Sequence, residues 1–264
     1  MSSYWKERMA AAQNKLTNKS VKQVEARLKT YYSRAMNQVI ADFEAVYAKI
    51  EQQRAEGKQV TPADLYKLDK YWQAQAQMQA VLEQLGNRQA RTLGDAFVAN
   101  FFDVYYSIKL DGLRTFSTID KPLVTQMINQ IWVADGKSWS QRIWDNTKRL
   151  AETLNDELIS CVVAGKKTSE LKQKLQERFG VSYSAADSLV RTEMAHIQTQ
   201  AAKKRYEDYG IQQVEIWADP DERRCEVCGK LHQKKYAASA AVPIPAHPRC
   251  RCCIVPVVEA PKAE

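Results

Sequence analysis

Cys225-x-x-Cys228, an interval of eighteen residues, and then His247-Pro248-Arg249-Cys250-Arg251-Cys252-Cys253 crowd five thiols and an imidazole into the last forty residues of a 264-residue chain. These residue types at this spacing suit a soft divalent cation. A Cys-x-x-Cys turn aims two thiolates at one point, and tetrahedral zinc needs two further donors. The interval is long enough to bring His247 and Cys250 back across that turn; Cys250 with Cys252 is the alternative second pair. Six candidate donors exceed what one ion can use. Cys253 is the expected spare, because adjacent residues of an extended segment point to opposite faces, and His232 is expected at the surface of the loop.

A catalytic zinc keeps one position open to water and usually draws on histidine and carboxylate ligands. With only His196, His232 and His247 in the chain, the expectation is a closed, structural Zn2+ and no enzymatic activity. Disulfides would need an oxidising compartment. The first residues, Met1-Ser2-Ser3-Tyr4-Trp5-Lys6-Glu7-Arg8, hold no apolar run of signal-peptide length. No stretch approaches the roughly 18 consecutive apolar residues of a membrane span. A cytosolic setting with reduced thiols follows as an expectation.

The elements that must position these donors are mostly helices. Only 9 Gly and 8 Pro occur, most of the prolines after residue 219, so the first four fifths of the chain lacks breakers. Val21, Val24, Leu28, Tyr31, Ala35, Val39, Phe43, Val46 and Ile50 recur every three or four residues, predicting a long amphipathic helix over about Lys19 to Arg54. Gly57 ends it, and Thr61-Pro62-Ala63-Asp64 starts the next with a cap, a proline in the first turn and an acid at the positive end of the dipole. Leu65, Leu68, Tyr71, Trp72, Met78, Leu82 and Leu85 predict a helix folding back on the first, with a break at Gly86-Asn87. Phe97, Phe101, Phe102, Val104, Tyr105 and Ile108 form a third apolar segment, and Asp111-Gly112 a connection.

Further on, Pro122 to Trp132 reads as a short helix. Ser138 or Ser140 opens a helix carrying Ile143, Leu150, Leu154, Leu158 and Cys161, followed by Gly165. Thr168 opens another, closed by Gly180, and Ser184-Ala185-Ala186-Asp187 caps a long one that ends before Gly210. Two strands are expected: Gln213 to Trp217, then, after a turn at Asp219-Pro220-Asp221, Cys252 to Val258. The fold class is thus mainly α, with long amphipathic helices followed by a small zinc-stapled β-ribbon module, α+β in kind. The expected organisation is a helical region over 1–120, a helical part over 121–210, the zinc-stapled module over 211–258 and a tail over 259–264.

A net charge of +8 favours encounters with polyanions without implying sequence readout. Lys203, Lys204, Arg205, Arg249 and Arg251 are the candidate phosphate contacts, and a DNA-binding accessory protein is the alternative reading; a toxin-like or nuclease enzyme is a more distant one. Arg191 and Glu193 lie two apart on a helix and cannot face each other, so each is expected to tie that helix to a neighbouring segment.

The order Arg191-Thr192-Glu193, Tyr209-Gly210, Trp217, Cys225-Glu226-Val227-Cys228, Leu231 and Pro245-Ala246-His247-Pro248-Arg249-Cys250-Arg251-Cys252 resembles the phage Mu F-like head morphogenesis proteins, over roughly residues 150 to 258. The resemblance implies a minor head protein of a tailed phage or prophage, located in the virion at the head interior or portal vertex after assembly in the host cytoplasm. It implies the portal protein as partner, with the capsid interior or scaffold and non-specific DNA as further contacts, and roles in head morphogenesis and in DNA packaging or ejection.

Overall fold

The computed structural model describes residues 3–110, 117–218 and 224–258. The expected connection at Asp111-Gly112, the turn at Asp219-Pro220-Asp221 and the tail over 259–264 lie outside the described residues. Within them the chain is mainly helical. Seven helices, α1 (Ser3–Ala55), α2 (Pro62–Tyr66), α3 (Asp69–Ser107), α4 (Lys121–Ile128), α5 (Trp139–Val163), α6 (Thr168–Asp208) and α7 (Glu226–Leu231), accompany three strands, β1 (Gln213–Trp217), β2 (Lys235–Ala237) and β3 (Cys253–Pro256). None of these helices is long and apolar enough to cross a membrane.

Two compact units divide these elements. One comprises Met1–Glu25, Leu93–Trp139 and Ser188–Glu264, and the other Ala26–Thr92 and Ser140–Asp187. The second unit is helical throughout. Its core joins Leu28, Val39, Phe43 and Ile50 of α1 to Met78, Leu82 and Leu85 of α3, Leu154 and Leu158 of α5, and Leu171, Leu175 and Phe179 of α6. Several buried polar groups inside it are paired. Tyr47 donates to the carbonyl of Cys161 at 2.9 Å, and Glu157 takes Lys174 at 2.8 Å and Nε of Arg178 at 2.9 Å.

The first unit carries the sheet, ordered β2-β1-β3 and antiparallel throughout. Val214 faces Pro256 and Trp217 faces Cys253 across β1 and β3, while Gln213 faces Ala237 across β1 and β2. As the central strand, β1 is buried from Val214 to Trp217. Its one acid, Glu215, is neutralised by Lys6 of α1 at 2.6 Å.

Four expected elements differ in the structure. The first helix begins at Ser3 rather than near Lys19. Its earlier inward face holds Ala10, Gln13 and Thr17, and two polar residues on that face hide the apolar period. Gly86 does not break α3, and the Phe97 segment is the continuation of that helix. A Cβ on Gly86 would stand 2.6 Å from Cζ3 of Trp144, so the glycine serves a close approach of the indole. Gly180 does not close a helix either, and Ser184-Asp187 is not a cap: α6 runs unbroken from Thr168 to Asp208. Finally, β2 is a third strand that three residues, Lys-Tyr-Ala, were too few to announce. By contrast Gly165 and Gly210 do sit just beyond helix ends with positive φ, at 63° and 74°, the left-handed geometry that closes a helix.

The two helical glycines should respond to substitution in opposite ways. Nothing lies within 4 Å of a Cβ added at Gly180, so Gly180→Ala gains helix propensity and raises stability by about 0.5–1 kcal/mol. Gly86→Ala forces the Trp144 ring aside and lowers stability by about 1–2 kcal/mol, an overpacking cost net of propensity. Chemical denaturation checks both, and combining Gly86→Ala with Trp144→Ala should remove the clash in a double-mutant cycle.

Candidate metal centre

The five predicted donors come from two short segments of the first unit. Cys225 caps the amino end of α7, its sulfur accepting the Cys228 amide at 3.4 Å. That turn places Cys228 inside and leaves Cys225 exposed. The returning segment brings His247 Nε2 to 3.3 Å from Cys225 Sγ and 3.0 Å from Cys228 Sγ, and Cys250 Sγ to 3.7 Å from Cys228 Sγ. Two overlapping donor groups result, Cys225 with Cys228 and His247, and Cys228 with Cys250 and Cys252, each with its ligand atoms within 4.8 Å of one another. Cys228 is common to both.

These separations suit a four-coordinate ion. With Zn–S bonds of about 2.3 Å, tetrahedral geometry sets neighbouring sulfurs about 3.8 Å apart, against the observed 3.7 Å. The imidazole is oriented for the task. Its Nδ1 lies 2.8 Å from the Pro248 carbonyl, which can only accept a proton, so Nδ1 carries it and the Nε2 lone pair faces the two sulfurs.

Crowding drives the thiols apart in proton affinity. A hydrogen bond from Cys252 draws Cys250 down to about 5. Cys252, the donor in that bond, is pushed far up by it and by burial. Burial raises Cys228 to about 12, and the Cys228 amide lowers Cys225. Four sulfurs in one small volume cannot all ionise by themselves; a bound cation reverses that balance by favouring every thiolate at once.

The other nominated residues fall elsewhere. Cys253 lies in a separate cluster with Ala10, Trp217 and Val255, outside both donor groups. His232 is half-buried rather than a surface residue: its Nδ1 accepts the Ala218 amide at 3.2 Å and its ring meets Trp217 edge to face. No disulfide joins any of the six cysteines. Arg191 pairs with Glu25, and buried Glu193 accepts Trp132 Nε1 at 3.0 Å.

The nominated basic residues differ in what they touch, and Arg251 is half-buried. Arg205 is buried, donating to the Ile108 carbonyl at 3.3 Å and stacking on Tyr105 and Tyr209, so its charge is used inside the protein. Lys203 donates to the Ser239 and Ala240 carbonyls, and Lys204 pairs with Asp208. Arg249 is exposed, but its amide is anchored to Thr192 Oγ1 at 3.0 Å. Thr192 stood in the run Arg191-Thr192-Glu193 without an assigned contact, and sequence reasoning missed Gln13 and Asn14, which reach the backbone of the returning segment. The signal for Gln13 and Asn14 is a polar residue toward the inward side of a helix, visible only once that helix is known to start at Ser3.

The fold and the site together define a mainly helical protein bearing a small β module with a cysteine-histidine cluster. Residues 152–255 match the family model described as Phage Mu protein F like protein, in agreement with the resemblance carried by the same residues. That stretch of the chain is similar to phage Mu F-like proteins and contains the whole donor set. No curated protein and no solved structure matches the chain.

One expected outcome concerns the donor set and a second a buried histidine outside it. Cys228→Ser, which removes the donor common to both groups, abolishes stoichiometric metal binding by the purified protein, whereas Cys253→Ala retains it; elemental analysis after gel filtration reads both. The second concerns His196, which stacks on Trp132 at 4.2 Å and which burial lowers from 6.5 to about 4. Its folded value is depressed, so the unfolded chain binds the proton first. Stability is therefore intact above about pH 6.5 and is lost as pH falls toward 4, by roughly 3 kcal/mol in total. His196→Phe keeps a ring on Trp132 and should flatten that part of the stability-pH profile.

Proposed function

We propose that this protein is a minor head protein of a tailed phage or prophage, acting without catalysis in head morphogenesis at the portal vertex. In this reading one zinc ion staples the C-terminal module and makes it a firm attachment for partners in the virion. The observation that carries it is the convergence of Cys225, Cys228, His247, Cys250 and Cys252 inside the stretch similar to phage Mu F-like proteins. Zinc is favoured by the donor chemistry, sulfur and imidazole with no carboxylate among the grouped ligands. A structural role is favoured because the cluster can supply four protein donors, which leaves no position for a reacting water.

A structural ion also fits the energetics of the module. Its sheet holds twelve residues in three short strands, and zinc bound to folded ligands contributes on the order of 10 kcal/mol. Contact with the portal, and a part in packaging or releasing DNA, complete the proposal.

The test is metal analysis of the purified protein joined to co-purification with the portal protein of the same phage. One equivalent of zinc and a complex that survives gel filtration are expected. Metal-free protein with an ordered C-terminal module would remove the zinc reading, and failure to associate with portal or procapsid would remove the assembly reading.

A further inference from the structure

The segment that bears the later ligands is gripped from outside by side chains of two helices. Asn14 Nδ2 of α1 donates to the Arg251 carbonyl at 3.3 Å, and Arg251 is the residue between Cys250 and Cys252. The Asn14 amide is itself aimed, its Oδ1 accepting Gln198 Nε2 at 3.0 Å. Gln13 Nε2 donates to the Ile254 carbonyl at 3.2 Å and lies 3.1 Å from the Tyr206 hydroxyl, which also donates to that carbonyl. From α6, Thr192 gives its proton to the Ser188 carbonyl at 2.7 Å, leaving its oxygen to accept the Arg249 amide at 3.0 Å. Arg249 stands at φ 62°, a conformation a non-glycine residue needs help to hold.

The same stretch of α1 buries few apolar side chains. Between Ser3 and Glu25 the buried apolar residues are Ala10, Val21 and Val24, while Gln13 and Thr17 occupy the inward positions between them. Its further ties are two ion pairs, Lys6–Glu215 to the sheet and Glu25–Arg191 to α6, beside the packing of Ala10 with Trp217, Cys253 and Val255. A helical stretch with few buried apolar contacts lies at the low-stability end of a fold and depends on what it docks against.

We infer that residues 3–25 of α1 form a strap over the metal module, in which Asn14, with Gln13 and with Thr192 of α6, positions the ligand-bearing segment, so that strap docking and metal occupancy are linked. The inference rests on the zinc reading above. Groups that orient ligands from outside commonly change metal affinity by about 10- to 100-fold, and linkage makes the effect mutual: what metal gains from the docked strap, the strap gains from bound metal.

The full chain tests this by hydrogen exchange and by competition for zinc against a chromogenic chelator. Removing zinc should speed exchange at least about tenfold in residues 3–20 and leave residues 28–50 unchanged. Asn14→Ala and Thr192→Val should each weaken zinc binding about tenfold, Thr192→Ser should restore it, and Gln38→Ala, on the exposed face of α1, should have no effect. One bound zinc with exchange over 3–20 indifferent to chelation, and with unaltered affinity in Asn14→Ala and Thr192→Val, overturns the linkage while the zinc reading stands. Absence of zinc from the wild-type protein overturns both.

Discussion

Sulfur atoms 3.7 Å apart in a buried volume are the constraint around which the C-terminal module is organised. Thiols at that distance cannot all become anions without a cation between them, and left protonated they make only weak hydrogen bonds. The surrounding chain nonetheless spends several features on holding them together. Cys225 caps a six-residue helix so that Cys228 turns inward, Pro248 supplies the carbonyl that sets the His247 tautomer, and Arg249 takes a left-handed conformation that returns Cys250 to the cluster.

Around this centre polar joints accompany the apolar packing of Ala10 on Trp217, Cys253 and Val255. The C-terminal module meets α1 through Lys6, Gln13 and Asn14, and α6 through Thr192 and Tyr206. Such bonds are individually modest, about 1 kcal/mol, but they are directional, and they act on the backbone of the segment that carries the ligands. The helical unit made of Ala26–Thr92 and Ser140–Asp187 is held by a different means, a continuous apolar core with a few internally neutralised charges such as Glu157.

The charge of the protein illustrates why composition underdetermines function. A net charge of +8 invites a nucleic-acid reading, and the run Lys203-Lys204-Arg205 is its most basic stretch of helix. In the fold these three side chains serve three internal purposes: tethering the Ser239–Ala240 loop, pairing with Asp208, and stacking between Tyr105 and Tyr209. Adjacent residues of a helix point in different directions, so a run of like charge in sequence need not make a patch.

The sequence by itself determined what depends on near neighbours. Periodicity announced the long helices, β-branched alternation announced β1 and β3, and the Cys-x-x-Cys turn with the His247–Cys252 run announced where donors would gather, because each is a pattern within a few residues. Only the tertiary structure decided which glycines end helices and which make room: Gly86 and Gly165 look alike until Trp144 is seen against the first. It alone decided that Cys228 would be the donor common to both groups, and that Asn14, more than two hundred residues away in the chain, would hold the peptide between Cys250 and Cys252. The physical reason is the same in each case. Backbone geometry is a local preference, whereas the partner of a buried polar group, or the neighbour of a missing side chain, is fixed by segments that meet only after folding.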